Sequence, residues 1–165
     1  MEDVNASARP SRARAGRVLG IDLGSVRIGI ALSDPTRTVA SPHSVLLRSR
    51  DHGSDHRAIL ELVRAEEVTA IVVGLPLSLS GAAGPAARAA EAEMEELRTV
   101  VGPGVEVLPH DERLTTITAE RSLGNARMSR LQRRAVVDKV AAAVMLQSWL
   151  DRSPMASRPS GKTRR

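Results

Sequence analysis

The sequence predicts an α/β protein of one domain, built on a mixed five-stranded sheet flanked by helices, with elements in the order βββαβαβαα. Two apolar runs of strand length, residues 17–23 and 26–32, adjoin across Gly24-Ser25 in a hairpin-like pattern. Further along the chain, apolar runs alternate with segments of helical periodicity, as in layers of parallel strands and helices. The length of 165 residues is that of one domain.

The first half of the chain supplies four of the five strands. A third apolar run at residues 38–47 completes an opening meander of three strands. Residues 53–66 carry apolar side chains at helical spacing, so we expect a helix there. Residues 68–76 form an uninterrupted β-branched run that ends at Pro76, which predicts a buried strand parallel to the first.

The second half of the chain predicts one more strand and three more helices. Pro85 and Gly102 bracket a helical segment, because proline favours the first turn and glycine the position after the last. Residues 105–112 alternate as a strand does, and helices are expected at 115–124 and 129–150.

Composition excludes several classes of protein. There is no Phe, no Tyr and one Trp, so the core must be aliphatic and base stacking cannot dominate any binding of nucleic acid. The absence of cysteine excludes disulfides and thiolate metal sites and fits a reducing compartment. No segment has the pattern of a signal peptide or of a membrane span, so we expect a cytoplasmic protein with no membrane partner.

The charge is unevenly distributed. The formal net charge is +5, and five of the 24 lysines and arginines but none of the 19 acids follow Asp151. The preceding residues are therefore neutral by count. We expect residues 1–15 and 152–165 to be disordered tails around a folded domain of residues 16–151, the second tail being either a solvated end or an electrostatic contact for nucleic acid.

Three acids are candidates for chemistry, and Asp22 is the first. Strand alternation places Val18, Gly20 and Asp22 on one face, so this carboxylate ends a strand beside small residues. An Asp in this position often makes a turn hydrogen bond before a glycine. The alternative is a metal ligand.

The second candidate lies in "HDERLTT", residues 110–116, where Asp111 and Glu112 end a strand. Adjacent strand residues point to opposite faces, so only one of the two acids can join Asp22. The competing interpretation is a charged loop in which Arg113 pairs with its neighbours.

Asp138 is the third candidate, because it falls within an apolar stripe of the last predicted helix. The stripe comprises Leu131, Ala135, Ala141, Ala142, Met145 and Trp149. A buried carboxylate needs a cation. That cation is either Arg134, one turn earlier, or a bound metal ion.

Together, Asp22, Glu112 and Asp138 would suit Mg²⁺ or Mn²⁺, which prefer oxygen ligands. Two such ions can activate water and stabilise the leaving oxygen at a phosphodiester. The cationic residues before and around Asp138 would form a phosphate-binding track: Arg121, Arg127, Arg130, Arg133, Arg134 and Lys139.

Four segments, "GIDLGSVRIGIALSDP", "IVVGLPLSLSGAAGP", "DERLTTITAERSL" and "VVDKVAAAVMLQSWLD", closely resemble the YqgF/RuvX family in order and spacing. These bacterial RNase H-like proteins are described as Holliday junction resolvase-like and as nucleases that mature the small-subunit rRNA precursor. The resemblance covers roughly residues 16–151. It implies an RNase H-like fold with Asp22, Glu112 and Asp138 as the catalytic and metal-binding acids, and it places Arg113, Thr115 and Thr116 beside Glu112 or a phosphate.

The leading functional expectation is a metal-dependent endonuclease acting on structured nucleic acid, either at the 5′ end of the pre-16S rRNA or at a branched DNA junction, as a monomer or a homodimer. Two other classes stay open. One is a nucleotide-dependent phosphotransferase, in which Asp-x-Gly after an apolar strand would contact phosphate, although this chain is short for that two-lobed architecture. The other is a non-catalytic nucleic-acid-binding module, against which the presence of all three acids argues.

Overall fold

A mixed sheet forms the centre of the structure, a computed structural model that describes residues 16–78, 80–113 and 129–152. Within these ranges there are five strands and three helices. Their bounds are β1 (Arg17–Leu23), β2 (Arg27–Ser33), β3 (Ala40–Leu47), α1 (His52–Ala65), β4 (Val68–Leu75), α2 (Pro85–Val101), β5 (Glu106–Asp111) and α3 (Arg130–Arg152).

The strand order is β3-β2-β1-β4-β5. Strands β1, β2 and β3 pair antiparallel, whereas β4 pairs in parallel with β1 and β5 pairs in parallel with β4. The predicted meander followed by parallel strands is confirmed. The helix predicted at 115–124 lies outside the described residues.

Local sequence sets the helix ends. The side chain of Asp51 accepts a hydrogen bond from the Gly53 amide and caps α1. As predicted, Pro85 begins α2 and Gly102, at φ 75°, follows its last residue. Ser129 and Gln132 exchange side-chain and backbone hydrogen bonds at the start of α3, which is the capping-box pattern.

The sheet separates two aliphatic cores. On one face, Leu19 and Ile21 pack with residues of α1, α2 and the neighbouring strands. On the other face, Val18, Ala31 and Val72 pack against α3. The alternation along β1 therefore places Gly20 and Asp22 on the α3 face.

Two glycines allow α3 to lie close to the sheet. A β-carbon at Gly20 would stand 2.8 Å from the Leu146 β-carbon, and one at Gly29 would overlap the backbone carbonyl of Asp138. Since Gly29 is the partner of Asp22 in the β1–β2 pairing, this close approach brings Asp138 over the end of β1.

The predicted apolar stripe of α3 is partly wrong. The buried face comprises Ala142, Ala143, Met145, Leu146 and Leu150, with Trp149 half-buried beside it. Leu131 is 74% exposed. The other residues of the first turn are exposed too, because the burial of α3 against the sheet begins only after residue 134. None of the helices in the described ranges has the length and apolarity to cross a membrane.

Candidate acidic active site

Asp22, Glu112 and Asp138 come from three elements to one end of the sheet. Asp22 is the penultimate residue of β1, and Glu112 directly follows β5. Both strands run parallel to β4, so their carboxyl ends share an edge. Asp138 lies on α3, which covers the same face. All three side chains are half-buried.

The pleat of β5 separates the two adjacent acids, as expected. The Glu112 amide donates to the Leu75 carbonyl at 3.2 Å, which extends the pairing with β4 by one residue. The Glu112 side chain then lies over Gly74, where any β-carbon would collide with its carboxylate. Asp111 points elsewhere and accepts hydrogen bonds from the backbone amide and the guanidinium of Arg113.

Burial and neighbouring acids raise the pKa values of Glu112 and Asp22. Burial, and then repulsion from Asp22 and Asp111, raises the pKa of Glu112 to about 7. Burial, and then repulsion from Asp138, raises the pKa of Asp22. Asp22 is therefore the acid that is close enough to repel each of the other two.

The cation on Asp138 is Arg27, not Arg134. Arg27 Nε donates to Asp138 Oδ2 across 111 positions of sequence, and both side chains are mostly buried. Arg134 is exposed on the first turn of α3 and makes no ion pair within the described ranges. Of the two partners that the sequence left open, the helical ion pair is thus wrong.

Arg48 is a second residue that sequence reasoning missed. Its Nε donates to the Gly24 carbonyl at 2.9 Å, and its backbone amide donates to the Val26 carbonyl, so it holds both ends of the turn after Asp22. Both terminal nitrogens of Arg48 donate hydrogen bonds to the carboxylate of Glu93, at 2.5 and 2.8 Å. The sequence signal is Glu93 itself, a charge on the apolar face of α2, buried beside Met94.

The other predicted binding residues are spread more widely. Arg130, Arg133 and Arg134 are exposed on the first turn of α3. Arg113 pairs with Asp111, which is the loop interpretation considered above. Thr115, Thr116, Arg121 and Arg127, which are also predicted to bind, lie outside the described residues.

His110, the last residue of β5 but one, is a buried polar residue near the site and is 7% exposed. Its Nε2 has no hydrogen-bond partner in the described part of the chain. Burial, and then the charge of Arg152, lowers the pKa of this imidazole. Since alternation along β5 turns His110 toward the α3 face, it packs behind Glu112 on that face.

The three carboxylates are ligands of the type that a hard divalent cation prefers. Carboxylate oxygens are the ligands that Mg²⁺ and Mn²⁺ prefer, and acids with raised pKa values are stabilised by a cation. Within the described residues, 16–78, 80–113 and 129–152, however, no three acidic or histidine side chains are close enough to hold a single ion. The acids instead approach in two pairs that share Asp22.

Comparisons with known proteins identify the family and the fold. The sequence profile of the RuvX family, described as Holliday junction resolvase, matches residues 16–152. The chain belongs to the RuvX family. The profile therefore spans every strand and helix of the described structure, and the acidic end of the sheet lies within it.

Relatives in the RuvX family carry a second description. A protein of Roseiflexus sp. (strain RS-1) is 44% identical over 136 residues, which are 82% of this chain and 94% of that one. A protein of Rhodococcus opacus (strain B4) is 45% identical over 139 residues, 82% of this chain and 78% of that one. Both bear the name "Putative pre-16S rRNA nuclease".

Among solved structures, RuvC of T. thermophilus in complex with a Holliday junction substrate has the same fold. It superimposes with a TM-score of 0.53 at 15% identity and covers 85% of this chain and 97% of that one. At that identity the likeness is one of fold, and it confirms the predicted architecture of the RuvX chain.

Proposed function

We propose that this chain is a divalent-metal-dependent endonuclease that acts in the cytoplasm and cleaves phosphodiester bonds at the 5′ end of the pre-16S rRNA. The observation that carries the proposal is the meeting of Asp22, Glu112 and Asp138 at one sheet end. The chain is also 44% identical to a relative named as a nuclease of this RNA.

In this proposal the three acids would hold Mg²⁺ or Mn²⁺, with Asp22 contributing its carboxylate beside both of the others. Asp22 is suited to that role because it is close enough to repel both Glu112 and Asp138. When bound, a pair of such ions activates a water nucleophile and stabilises the leaving oxygen. Since ligands must be deprotonated, Glu112 loses its proton on binding metal near or below pH 7.

The rest of the chain has supporting tasks in the same proposal. Arg48 fixes the turn after Asp22 and so limits the motion of that carboxylate. Arg130, Arg133 and Arg134, exposed on the turn of α3 that precedes Asp138, contact phosphates flanking the cleaved bond. With a single tryptophan in the chain, recognition rests on the backbone and shape of the nucleic acid rather than on its bases.

A four-way DNA junction is the second candidate substrate. The family description, Holliday junction resolvase, favours it. The fold that the chain shares with RuvC is compatible with it. Two active sites on a symmetric homodimer would suit a four-way junction, whereas a single cut in rRNA needs only one active site.

One experiment compares the two substrates. The purified chain is incubated with Mg²⁺ or Mn²⁺ and with either an RNA spanning the 5′ precursor terminus of 16S rRNA or a synthetic four-way junction. We expect metal-dependent cleavage of the RNA, abolished in Asp22→Asn. If only the junction is cleaved, the four-way junction replaces the pre-16S rRNA as the proposed substrate. Binding to both without cleavage in any divalent metal would make the chain a non-catalytic module.

A further inference from the structure

The guanidinium of Arg27 lies beside the acidic site with most of its donors unused. Arg27 is the first residue of β2, and alternation places it on the same face as Gly29, the partner of Asp22. Its Nε donates to Asp138, and its side chain is 18% exposed. The two terminal nitrogens, which carry four N–H donors, make no hydrogen bond within the described residues.

Other arginines near the site are committed differently. Arg48 directs all three of its guanidinium nitrogens at Gly24, Glu93 and Asp55. Arg113 is bound to Asp111, which points away from the site. Arg27 is instead fixed at one nitrogen by a site acid while the fork of its terminal nitrogens stays available to a ligand.

We propose that Arg27 binds a nonbridging phosphate oxygen of the nucleic acid chain beside the acidic site, with Asp138 holding the guanidinium in orientation. The inference rests on the proposed nuclease function. A cluster of three acids repels a polyanion, so a fixed cation is needed at its edge. The planar fork of arginine matches the geometry of phosphate oxygens, and partial burial strengthens the contact.

The role is distinct from that of the arginines on the first turn of α3. Those side chains are exposed, so their contacts with phosphates are screened by solvent and salt. Arg27 is partly buried, held by a carboxylate and adjacent to the strand that carries Asp22. It therefore positions one phosphate relative to the acids, whereas the exposed arginines supply general affinity.

The test measures binding, so it does not depend on cleavage. In an Asp22→Asn background with a chelator present, the affinity for a short DNA duplex and for an RNA stem is measured across salt concentrations. We expect Arg27→Gln to weaken binding by about tenfold. It should also lower the slope of log affinity against log salt on duplex DNA by about 0.9, the value for one phosphate contact. Arg27→Lys should keep the slope but bind more weakly.

Arg17→Gln is the matched control. Arg17 is the first residue of β1, at the opposite end of the sheet, and it also pairs with one acid, Glu66, at 3.2 Å. It carries the same charge, and we expect its loss to leave the slope unchanged. Equal changes for both variants would mean that only net charge matters and would overturn the proposal.

A second variant guards against simple loss of fold. Arg27→Gln leaves Asp138 without its cation, whereas the double variant Arg27→Gln with Asp138→Asn removes both charges. Thermal unfolding identifies the folded variants. An unchanged slope in the folded double variant would overturn the phosphate contact. If the parent chain cleaves neither substrate but the slopes differ as expected, the nuclease proposal fails and the binding role of Arg27 stands.

Discussion

The carboxylate of Glu112 lies over the α-carbon of Gly74, in the place that a side chain on β4 would otherwise occupy. Val73, the residue before Gly74, pairs with Ile21, the residue before Asp22. The missing β-carbon thus provides the space in which Glu112 approaches Asp22. We therefore expect Gly74→Ala to displace Glu112 and to reduce cleavage at least tenfold, with little change in the free energy of unfolding, because only the end of a flexible side chain has to move.

Gly29→Ala provides the contrast. Its β-carbon would meet the backbone of Asp138, and a helix backbone cannot rotate aside as a carboxylate can. We expect it to lose about 1–3 kcal/mol of stability as well as activity. Urea unfolding and cleavage rates are measured on both variants. Equal destabilisation by the two would show that Gly74 serves packing rather than the site.

Amide substitutions test the three acids directly. Each of Asp22→Asn, Glu112→Gln and Asp138→Asn removes a proposed ligand charge while keeping shape. Residues that merely support metal ligands cost 10–100-fold when mutated, so we expect each variant to lose at least about a hundredfold in cleavage rate. Circular dichroism checks the fold, and calorimetric titration with Mn²⁺ checks binding. A variant that keeps full metal-dependent activity removes that residue from the site.

The ion pair between Arg27 and Asp138 changes what is expected of stability. For a carboxylate present only to bind metal, Asp138→Asn would be neutral or stabilising in metal-free protein, because it relieves like-charge repulsion. Because Asp138 is paired with Arg27, the substitution should instead lower the free energy of unfolding. We expect Asp138→Asn to cost about 1–2 kcal/mol in a chelator.

A double-mutant cycle with Arg27→Gln isolates the interaction. We expect the double variant to be more stable than the sum of the two single losses allows, since neither charge is left unpaired. Guanidinium unfolding of the four proteins measures this. Strict additivity would show that the two side chains do not stabilise each other in solution.

The raised pKa of Glu112 predicts a pH dependence of stability. In metal-free protein this carboxyl binds its proton more tightly when folded, at about 7, than at its ordinary value of 4.5. Between those values the folded state holds more protons than the unfolded state, so the contribution of Glu112 to stability falls as pH rises. The difference in unfolding free energy between the parent and Glu112→Gln should therefore decline from about pH 4.5 to 7 and level off above. A difference that rises with pH would contradict the burial and repulsion described here.

The uneven charge predicts a role for the last residues of the chain. A chain ending at Arg152 keeps α3 complete and loses four cations, namely Arg158, Lys162, Arg164 and Arg165. If these neutralise two or three phosphates, the salt slope on duplex DNA falls by roughly 2 to 3 units. Binding is compared in an Asp22→Asn background with a full-length chain whose four cations are glutamine. If the slope is unchanged in both the shortened chain and the glutamine variant, the arginines of α3 are the main phosphate contacts.

Much of the fold follows from local pattern, and the bounds of β1 and α2 show why. The seven residues before Gly24 are rich in apolar side chains and have the length of a strand. The helical period of α2 is bounded by Pro85 and Gly102, so the sequence itself marks both ends of this helix. The prediction that only one of Asp111 and Glu112 can join Asp22 is equally local, because the pleat alternates with a period of two. These features depend on residues a few positions apart.

What the tertiary structure alone decided are the contacts between distant residues. Asp138 has a cation one helical turn away in Arg134, yet the packing of α3 on Gly29 turns its carboxylate to Arg27 on β2. Leu131 has the spacing of a core residue but lies on a turn of α3 that precedes its contact with the sheet. Periodicity determines which side of a helix is apolar, whereas the position and length of the contact with the sheet determine which of those residues are buried and which charges meet.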